Sequence, residues 1–235
     1  MAITTVLFDL DGTLLPMDQD VFINTYFTHL AAKLAPLGYE PKKLLKTIWD
    51  GTMAMIANDG SRPNIDAFWE VFAEVYGEDA LAHKPFIDSF YSSEFARVQE
   101  VCGFSPMAKE IVDSLKASGK TVVLATNPIF PAVATENRIR WAGLTPEDFL
   151  LYTTYENSSF CKPNPKYYTE ILEKLGRHPE ECLMVGNDVS EDMITETMGM
   201  KVFLLTDCLI NKNNKDISVY PHGSFPELKE YLSRL

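Results

Sequence analysis

Five short apolar segments constrain the fold of this 235-residue chain more than any other feature. Between the later segments, apolar residues recur at the spacing of a helix. The five segments comprise residues 3–8, 121–125, 150–155, 182–185 and 201–205. Their β-branched and aliphatic residues do not alternate with polar ones, which is typical of parallel strands covered on both faces. The sequence therefore predicts an α/β fold built on a doubly wound parallel sheet.

Helix signals accompany the later strands. A glycine follows each of four helical patterns, which cover about residues 105–118, 129–142, 168–175 and 190–198. Residues 206–223 are predicted to form a closing loop before a short C-terminal helix.

Residues 17–100 interrupt this rhythm because they contain no strand pattern. Apolar faces at helical spacing predict three helices, formed by Ile23, Phe27, Leu30 and Leu34, then by Leu44, Ile48 and Met55, and then by Phe68, Val71, Phe72 and Val75. A fourth helix is predicted near residues 85–97. We therefore predict an all-helical domain over residues 17–100, inserted into a core formed by residues 1–16 and 101–235.

The acidic composition limits the partners of the chain. The formal net charge is −12, and such a surface repels nucleic-acid phosphates and anionic lipids. The sequence therefore predicts neither nucleic acid nor a membrane as a partner.

The N-terminal residues lack a secretory pattern, and the four cysteines have no metal-site or disulfide spacing. These features favour a soluble, cytoplasmic protein with free thiols.

The first apolar segment ends in two aspartates, Asp9 and Asp11, followed by Gly12. Carboxylates at i and i+2 on an extended segment point the same way, and active sites of open α/β sheets lie where the strands end. Crowding lets one carboxylate stay ionised while the other carries a proton. The alternative is an Asp-Gly turn with two solvated acids.

Polar residues also follow the second and third apolar segments. Thr126 and Asn127 combine a hydroxyl with backbone N–H groups, which can hold a phosphate oxygen. A simple helix cap is the alternative for this pair. Lys162 lies between a cysteine and a proline in the sequence CKPNP, where a rigid loop would position its ammonium over developing negative charge.

The fourth apolar segment leads into the sequence GNDVSED at residues 186–192. The carboxylates of Asp188 and Asp192 are hard oxygen ligands that suit Mg²⁺. Asp188 could instead cap the helix that starts near Val189.

Taken in order, these residues resemble the four motifs of the haloacid dehalogenase-like superfamily. DLDGTL is similar to the first motif, Thr126 to the second, Lys162 to the third, and the segment 186–192 to the fourth. The resemblance spans about residues 4–205, and the insert at 17–100 resembles the helical C1 cap of that superfamily. It implies a Rossmann-like core with a cap domain.

The resemblance also implies the chemistry. Asp9 would attack phosphorus and form an aspartyl-phosphate, and Asp11 would protonate the leaving oxygen and then activate water. Thr126 and neighbouring backbone would hold phosphoryl oxygens, with Asn127 nearby. Lys162 would balance the negative charge.

A magnesium ion is implied as the cofactor, bound by Asp9, the carbonyl of Asp11 and Asp188. The sequence departs from the family here, because Asn187 rather than an acid directly follows the glycine. We predict Asp188 as the ligand, since a carboxylate binds Mg²⁺ better than an amide does. Asn187 is the alternative, and Asp192 is predicted to orient Lys162 or a water on the metal.

These motifs predict a Mg²⁺-dependent phosphatase that hydrolyses a small phosphorylated metabolite. The aspartate at position 11 favours phosphate esters as substrates, because dehalogenases and phosphonatases of the superfamily that the chain resembles lack an aspartate two residues after the nucleophile. A phosphomutase of the same fold, or a noncatalytic binding protein, is the alternative. The segment 58–64 is the best candidate for a substrate-selecting loop, and its Arg62 is a candidate for binding an anionic substrate group, with a solvated arginine as the alternative.

Overall fold

The computed structural model describes residues 2–235 and contains a six-stranded sheet in which every pairing is parallel. The strands are β1 (Thr5–Phe8), β2 (Thr121–Leu124), β3 (Leu151–Tyr152), β4 (Cys182–Gly186), β5 (Lys201–Leu205) and β6 (His222–Gly223). Their order is β3-β2-β1-β4-β5-β6. This is the order of a doubly wound fold, with its direction reversing at β1.

The register of the central strands brings three chain segments to one edge of the sheet. Phe8 at the end of β1 pairs with Leu124 of β2 and with Val185 of β4. The residues that follow these strands therefore emerge side by side at the carboxyl edge. In doubly wound folds a ligand binds at this switch point.

Helices cover both faces of the sheet. They are α5 (Pro106–Ala117), α6 (Ala132–Trp141), α7 (Pro165–Leu175) and α8 (Phe225–Ser233). Helices α5, α6 and α8 share one apolar cluster with Val6 and Phe8, whereas α7 packs in a second cluster with Leu7. The strands are buried because both faces are covered, and each fully buried aliphatic or aromatic side chain contributes about 1.5–3 kcal/mol.

Between β1 and α5 the chain forms only helices and loops. The α-helices are α1 (Gln19–Leu34), α2 (Pro41–Ile56), α3 (Asn64–Tyr76) and α4 (Lys84–Ser92), and a 3₁₀ helix follows at Glu94–Val101. We call α1 to α4 the inserted helices. The helix predicted near 85–97 therefore consists of α4 and the start of a 3₁₀ segment. Whether residues 17–100 form a separate domain remains a prediction.

Two predicted elements differ in the structure. The helix expected at 190–198 is only a 3₁₀ helix, Met193–Met198, because the Asp188 carboxylate accepts hydrogen bonds from the amides of Ser190 and Glu191 and forms a turn instead. The loop predicted at 206–223 contains β6, a two-residue edge strand that pairs with β5. No helix within residues 2–235 is long and apolar enough to cross a bilayer.

Candidate active site

Asp9 lies directly after β1, and its carboxylate is held at both oxygens. The Asp9 amide donates to the Val185 carbonyl of β4 at 2.9 Å, which fixes the backbone at the switch point. Oδ1 accepts a hydrogen bond from Lys162 Nζ at 2.7 Å, and Oδ2 accepts one from Thr13 Oγ1 at 3.1 Å. The side chain is nearly buried, so this carboxylate has one orientation.

Lys162 is an ammonium buried between two carboxylates. Its side chain is only 1% exposed, and Nζ lies 2.7 Å from both Asp9 Oδ1 and Asp192 Oδ1. Burial alone would lower the pKa of Lys162, but the neighbouring Asp192 and Asp9 carboxylates raise it well above its usual value. The side chain therefore stays cationic at the edge of the sheet.

Asp192 anchors this ammonium and is itself fully engaged. Its Oδ2 accepts a hydrogen bond from the Asp188 amide at 3.0 Å, while Oδ1 contacts Lys162. A β-carbon at Gly186 would overlap the Asp192 carboxylate, so only glycine allows the close approach. Both Asp192 oxygens are occupied, and its contact with Lys162 fits a role in orienting that ammonium.

Thr126 and Asn127 follow β2 at the same edge. Thr126 is buried, and its carbonyl accepts hydrogen bonds from Thr153 and Tyr167. Within the described part of the chain, its hydroxyl makes no hydrogen bond with another residue and is free for a ligand. Asn127 accepts a hydrogen bond from the Lys162 amide at 3.3 Å, which ties the second and third motifs together.

Asp11 lies beside Asp9 and faces a cavity. Its Oδ2 is paired with Arg138, while Oδ1 is buried and has no hydrogen-bond partner among residues 2–235. Burial raises the pKa of Asp11, the Arg138 guanidinium opposes this, and the Asp9 charge adds to it. The carboxyl group therefore retains a proton more readily than a solvated aspartate does, which suits a proton donor.

Asn187 and Asp188 have different surroundings. Asn187 is buried, and its Oδ1 accepts a hydrogen bond from Thr13 Oγ1 at 3.0 Å, the same hydroxyl that contacts Asp9. Its Nδ2 donates to the Cys208 carbonyl at 2.7 Å. The Asp188 carboxylate instead accepts hydrogen bonds from the amides at the start of the following turn. Asn187 is therefore the fourth-motif side chain tied to Asp9.

The oxygen atoms around Asp9 fit a magnesium ion in chemical type. A carboxylate oxygen of Asp9 and the amide oxygen of Asn187 share one hydroxyl donor, and Mg²⁺ prefers oxygen ligands. No cluster of three His, Cys, Asp or Glu side chains with metal-site geometry occurs in residues 2–235. Mg²⁺ does not require one, because it keeps several waters and uses only one or two carboxylates.

A cavity of about 250 Å³ opens beside these residues. Asp11, Asn127 and Glu191 line it at the sheet edge, and side chains of the inserted helices form most of the remaining wall. Burial raises the pKa of Glu191 to about 7, and Asn127 Nδ2 donates to Glu191 Oε2 at 3.4 Å. The cavity thus joins the candidate chemistry to the helical insert.

The predicted selectivity loop, residues 58–64, contacts the core but does not bring Arg62 to the cavity. Arg62 pairs with Glu70 and is 43% exposed, which matches the solvated alternative. Asn64 instead is fully buried and donates to the Pro128 and Phe160 carbonyls, both at 3.3 Å. The segment therefore joins α3 to the loops that carry Thr126 and Lys162.

Comparison with known proteins assigns the family. A sequence model of haloacid dehalogenase-like hydrolases matches residues 3–195, a range that contains the residues around Asp9 described above. The chain belongs to the haloacid dehalogenase-like hydrolases.

Among curated haloacid dehalogenase-like relatives, the chain is 28% identical over 251 residues to glyceraldehyde 3-phosphate phosphatase of Methanothermobacter thermautotrophicus, covering 97% of this chain and 98% of the relative. It is 24% identical to pyrophosphatase PpaX of Oceanobacillus iheyensis, over 80% and 76% of the two chains. It is 25% identical to phosphoglycolate phosphatase of Agrobacterium fabrum, over 79% and 72%.

Solved structures of haloacid dehalogenase-like proteins share the fold. A 2-haloacid dehalogenase from Pseudomonas syringae superposes with a TM-score of 0.66 at 20% identity, covering 99% of both chains. A predicted phosphoglycolate phosphatase from Haemophilus somnus gives 0.60 at 18% identity, covering 98% of both. At this identity the likeness concerns the fold alone.

Arg138 and Glu191 are site residues of this haloacid dehalogenase-like chain that the sequence did not predict. The Arg138 side chain is 1% exposed, and its Cζ lies 4.5 Å from the centroid of the Phe130 ring. Its Nε donates to the Ala134 carbonyl at 3.3 Å. A weak signal existed, because Arg138 shares the buried face of α6 with Ala134 and Ile139, and a charge on a buried face needs a partner.

We expect Arg138→Met to destabilise the protein by about 1.5–3 kcal/mol, because it removes the charged hydrogen bond to the half-buried Asp11 carboxyl group, which can take up a proton in its absence. Urea denaturation of the variant would measure this loss. The matched control is Arg140→Met on the same helix, since Arg140 is 53% exposed and pairs only with Glu136. Equal stability of the two variants would contradict a structural role for the Arg138–Asp11 pair.

Proposed function

We propose that the protein is a Mg²⁺-dependent phosphatase that hydrolyses small organic phosphate monoesters through an aspartyl-phosphate at Asp9. The observation that carries the proposal is the buried Asp9 carboxylate held between Lys162 and Thr13 at the switch point of the sheet. The curated relatives, which are named phosphatases, support phosphoric monoester hydrolysis. The formation of an aspartyl-phosphate is inferred from the contacts of Asp9 with Lys162 and Thr13.

In the first half-reaction an Asp9 carboxylate oxygen attacks phosphorus, and the ester P–O bond breaks. The leaving oxygen takes a proton from Asp11, so that an alcohol departs and Asp11 becomes a carboxylate. The raised pKa of Asp11 supports this role, because the group must be protonated when the substrate binds. Oδ1 of Asp11 has no hydrogen-bond partner among residues 2–235, so no contact with another residue competes for its proton.

In the second half-reaction Asp11 accepts a proton from water, whose oxygen attacks the phosphorus of the aspartyl-phosphate. The bond between Asp9 and phosphorus breaks, which releases inorganic phosphate and restores the Asp9 carboxylate. Asp11 regains its proton, so the acid and base roles alternate on one side chain.

Lys162 and Thr126 serve the phosphoryl group in both steps. Lys162 already contacts Asp9, so its ammonium balances charge that passes between this carboxylate and the phosphoryl oxygens. The free Thr126 hydroxyl would donate to one of those oxygens. Asn127 contributes mainly by holding the backbone of Lys162.

The metal would be held by the Asp9 carboxylate, the Asp11 carbonyl and the Asn187 amide oxygen. When bound, Mg²⁺ neutralises charge on the phosphoryl oxygens. We favour Asn187 over the Asp188 of the sequence prediction, because Asn187 shares the Thr13 hydroxyl with Asp9. One oxygen of Asp188, Oδ1, accepts hydrogen bonds from backbone amides instead.

We expect hydrolysis of an aryl phosphate to stop after thorough chelation and to return when Mg²⁺ is added. The physical reason is that Lys162 is the one cation in contact with Asp9 among residues 2–235, which leaves the phosphoryl charge under-compensated. Phosphate release measured before and after EDTA treatment tests this. Undiminished turnover without metal would contradict the metal part of the proposal.

Two variants separate the candidate metal ligands in that assay. Asn187→Ala removes the amide oxygen, and we expect the Mg²⁺ concentration for half-maximal activity to rise about 10- to 100-fold. Asp188→Asn removes a charge but retains the oxygen that accepts from Ser190 and Glu191, so this variant should stay near wild type. The reverse pattern would restore Asp188 as the ligand.

The alternative functions give different products. A phosphomutase would return an isomeric phosphate ester, whereas the proposed phosphatase releases inorganic phosphate and alcohol in equal amounts. A noncatalytic binding protein would release neither. Quantifying both products from the same reaction distinguishes the three functions.

A further inference from the structure

We propose that the natural substrate of this site carries an aromatic or branched aliphatic group on its phosphate, without a second negative charge. This inference rests on the proposed phosphatase function and adds the substrate class. The observation behind it is the composition of the cavity that Asp11 shares with the inserted helices.

The walls contributed by the inserted helices are apolar over most of their extent. They include Phe22, Ile23, Phe27, Ile48, Trp49 and Phe68. A single water molecule needs roughly 10–15 Å³ of cavity volume. The cavity of about 250 Å³ is therefore large enough for an organic group the size of a substituted ring. Apolar atoms placed there gain roughly 25 cal/mol per Å² of surface removed from water.

The charged residues that line the cavity are all acids: Asp11, Asp88 and Glu191. Within residues 2–235, no lysine, arginine or histidine lines it. Burial raises the pKa of the half-buried Asp88, and the nearby Lys84 ammonium opposes this. A carboxylate or second phosphate on the substrate would therefore lose hydration in a largely apolar space that offers it no counter-charge.

Four cations of this region are paired with acids. Arg138 is paired with Asp11 and lies over the Phe130 ring, and Arg62 is paired with Glu70. Lys33 of α1 pairs with Glu94 at 3.0 Å, and Lys46 of α2 pairs with Asp50. Lys84 of α4 lies over the Trp69 ring, with Nζ 5.4 Å from the ring centroid, and does not line the cavity. The substrate phosphate itself is served by Lys162.

Trp49 marks the outer end of the cavity. It lines the cavity while 53% of its surface is exposed to solvent, so it lies where the cavity meets solvent. Thr52 lies one helical turn further along α2, and its hydroxyl donates only to the Ile48 carbonyl of its own helix. Thr52 is therefore a position where charge can be added without breaking a tertiary contact.

The test compares matched phosphate esters on the wild-type enzyme with Mg²⁺. Phenyl phosphate and 4-carboxyphenyl phosphate differ by one carboxylate, and 3-methylbutyl phosphate and phosphoglycolate form an aliphatic pair. We expect the uncharged member of each pair to have a kcat/KM at least about tenfold higher, because the loss of one charge-compensating interaction corresponds to about that factor. Pyrophosphate should be a poor substrate as well.

The variant Thr52→Lys adds a cation to the cavity wall, and Thr52→Gln is its uncharged match. We expect Thr52→Lys to raise the ratio of kcat/KM for 4-carboxyphenyl phosphate over phenyl phosphate about tenfold, and Thr52→Gln to leave it unchanged. Phenol should also inhibit phenyl phosphate hydrolysis competitively at concentrations where glycolate does not.

The outcomes separate the two proposals. Asp9-dependent turnover that prefers phosphoglycolate, 4-carboxyphenyl phosphate or pyrophosphate overturns the substrate class and leaves the phosphatase function intact. A lack of turnover of every ester overturns the phosphatase function and, with it, this inference. Turnover of the uncharged esters with the expected shift in Thr52→Lys supports both.

Discussion

Replacement of Asp9 by asparagine is expected to abolish turnover while the fold survives. An amide oxygen is a poor nucleophile, and loss of a nucleophile typically lowers kcat on the order of 10⁴- to 10⁶-fold. Asparagine keeps the size of the side chain and its contact with Thr13, and Lys162 retains Asp192 as a counter-charge. Steady-state phosphate release, with circular dichroism as a check of folding, measures the effect.

Mass spectrometry of acid-quenched wild-type enzyme should locate phosphate on Asp9 during turnover. The informative control is Asp192→Asn, which also removes one carboxylate from Lys162 but leaves the nucleophile in place. We expect Asp192→Asn to form phosphoenzyme slowly and Asp9→Asn to form none. Equal loss of phosphoenzyme in both variants would mean that Asp9 acts only as a partner of Lys162.

The sheet and the order of the motifs were predictable because their signals are local. The first apolar segment places Asp9 and Asp11 at a strand end, and parallel neighbours bring Thr126 to the same edge. The structure agrees with the predicted sheet, and it adds β6, whose polar sequence His222-Gly223 carries no strand signal. An edge strand of two residues is formed by pairing with β5 rather than by its own propensity.

The contacts between side chains were less accessible from sequence. Arg138 is 127 positions away from Asp11, and nothing local links a helix in the middle of the chain to the first strand. Our proposal of Asn187 in place of Asp188 likewise depends on which side chain turns toward Thr13. Ligand chemistry alone favoured the carboxylate, whereas the local turn draws Asp188 to the amides of Ser190 and Glu191.

The cavity could not be predicted from the sequence, because it depends on how the four inserted helices pack together. The apolar face predicted on α1 includes Ile23 and Phe27, which are only half-buried and line the cavity. Phe22 and Tyr26, one position earlier, are more deeply buried and line the cavity as well. Helical periodicity identifies an apolar side, but it does not distinguish residues that fill a core from residues that surround a substrate.

Replacement of Asp11 by asparagine is expected to impair the two half-reactions differently. Asparagine cannot transfer the proton, and general acid–base help is typically worth about 10²–10⁴-fold. An aryl phosphate has a good leaving group and needs little protonation, so phosphorylation of Asp9 should slow less with it than with an alkyl phosphate. Hydrolysis of the aspartyl-phosphate still needs an activated water. Phosphoenzyme should therefore accumulate with the aryl substrate.

Single-turnover kinetics of Asp11→Asn with phenyl phosphate and 3-methylbutyl phosphate measure this difference. The comparison is made within one variant, so any loss of stability from leaving the buried Arg138 without its counter-charge affects both substrates equally. A burst of phenol release followed by a slow steady state identifies Asp11 as the acid and the base. Equal slowing with both esters and no burst would assign Asp11 a structural role as the partner of Arg138, and the proton donor would have to be sought among the other acids of the cavity, beginning with Glu191, whose pKa burial raises to about 7.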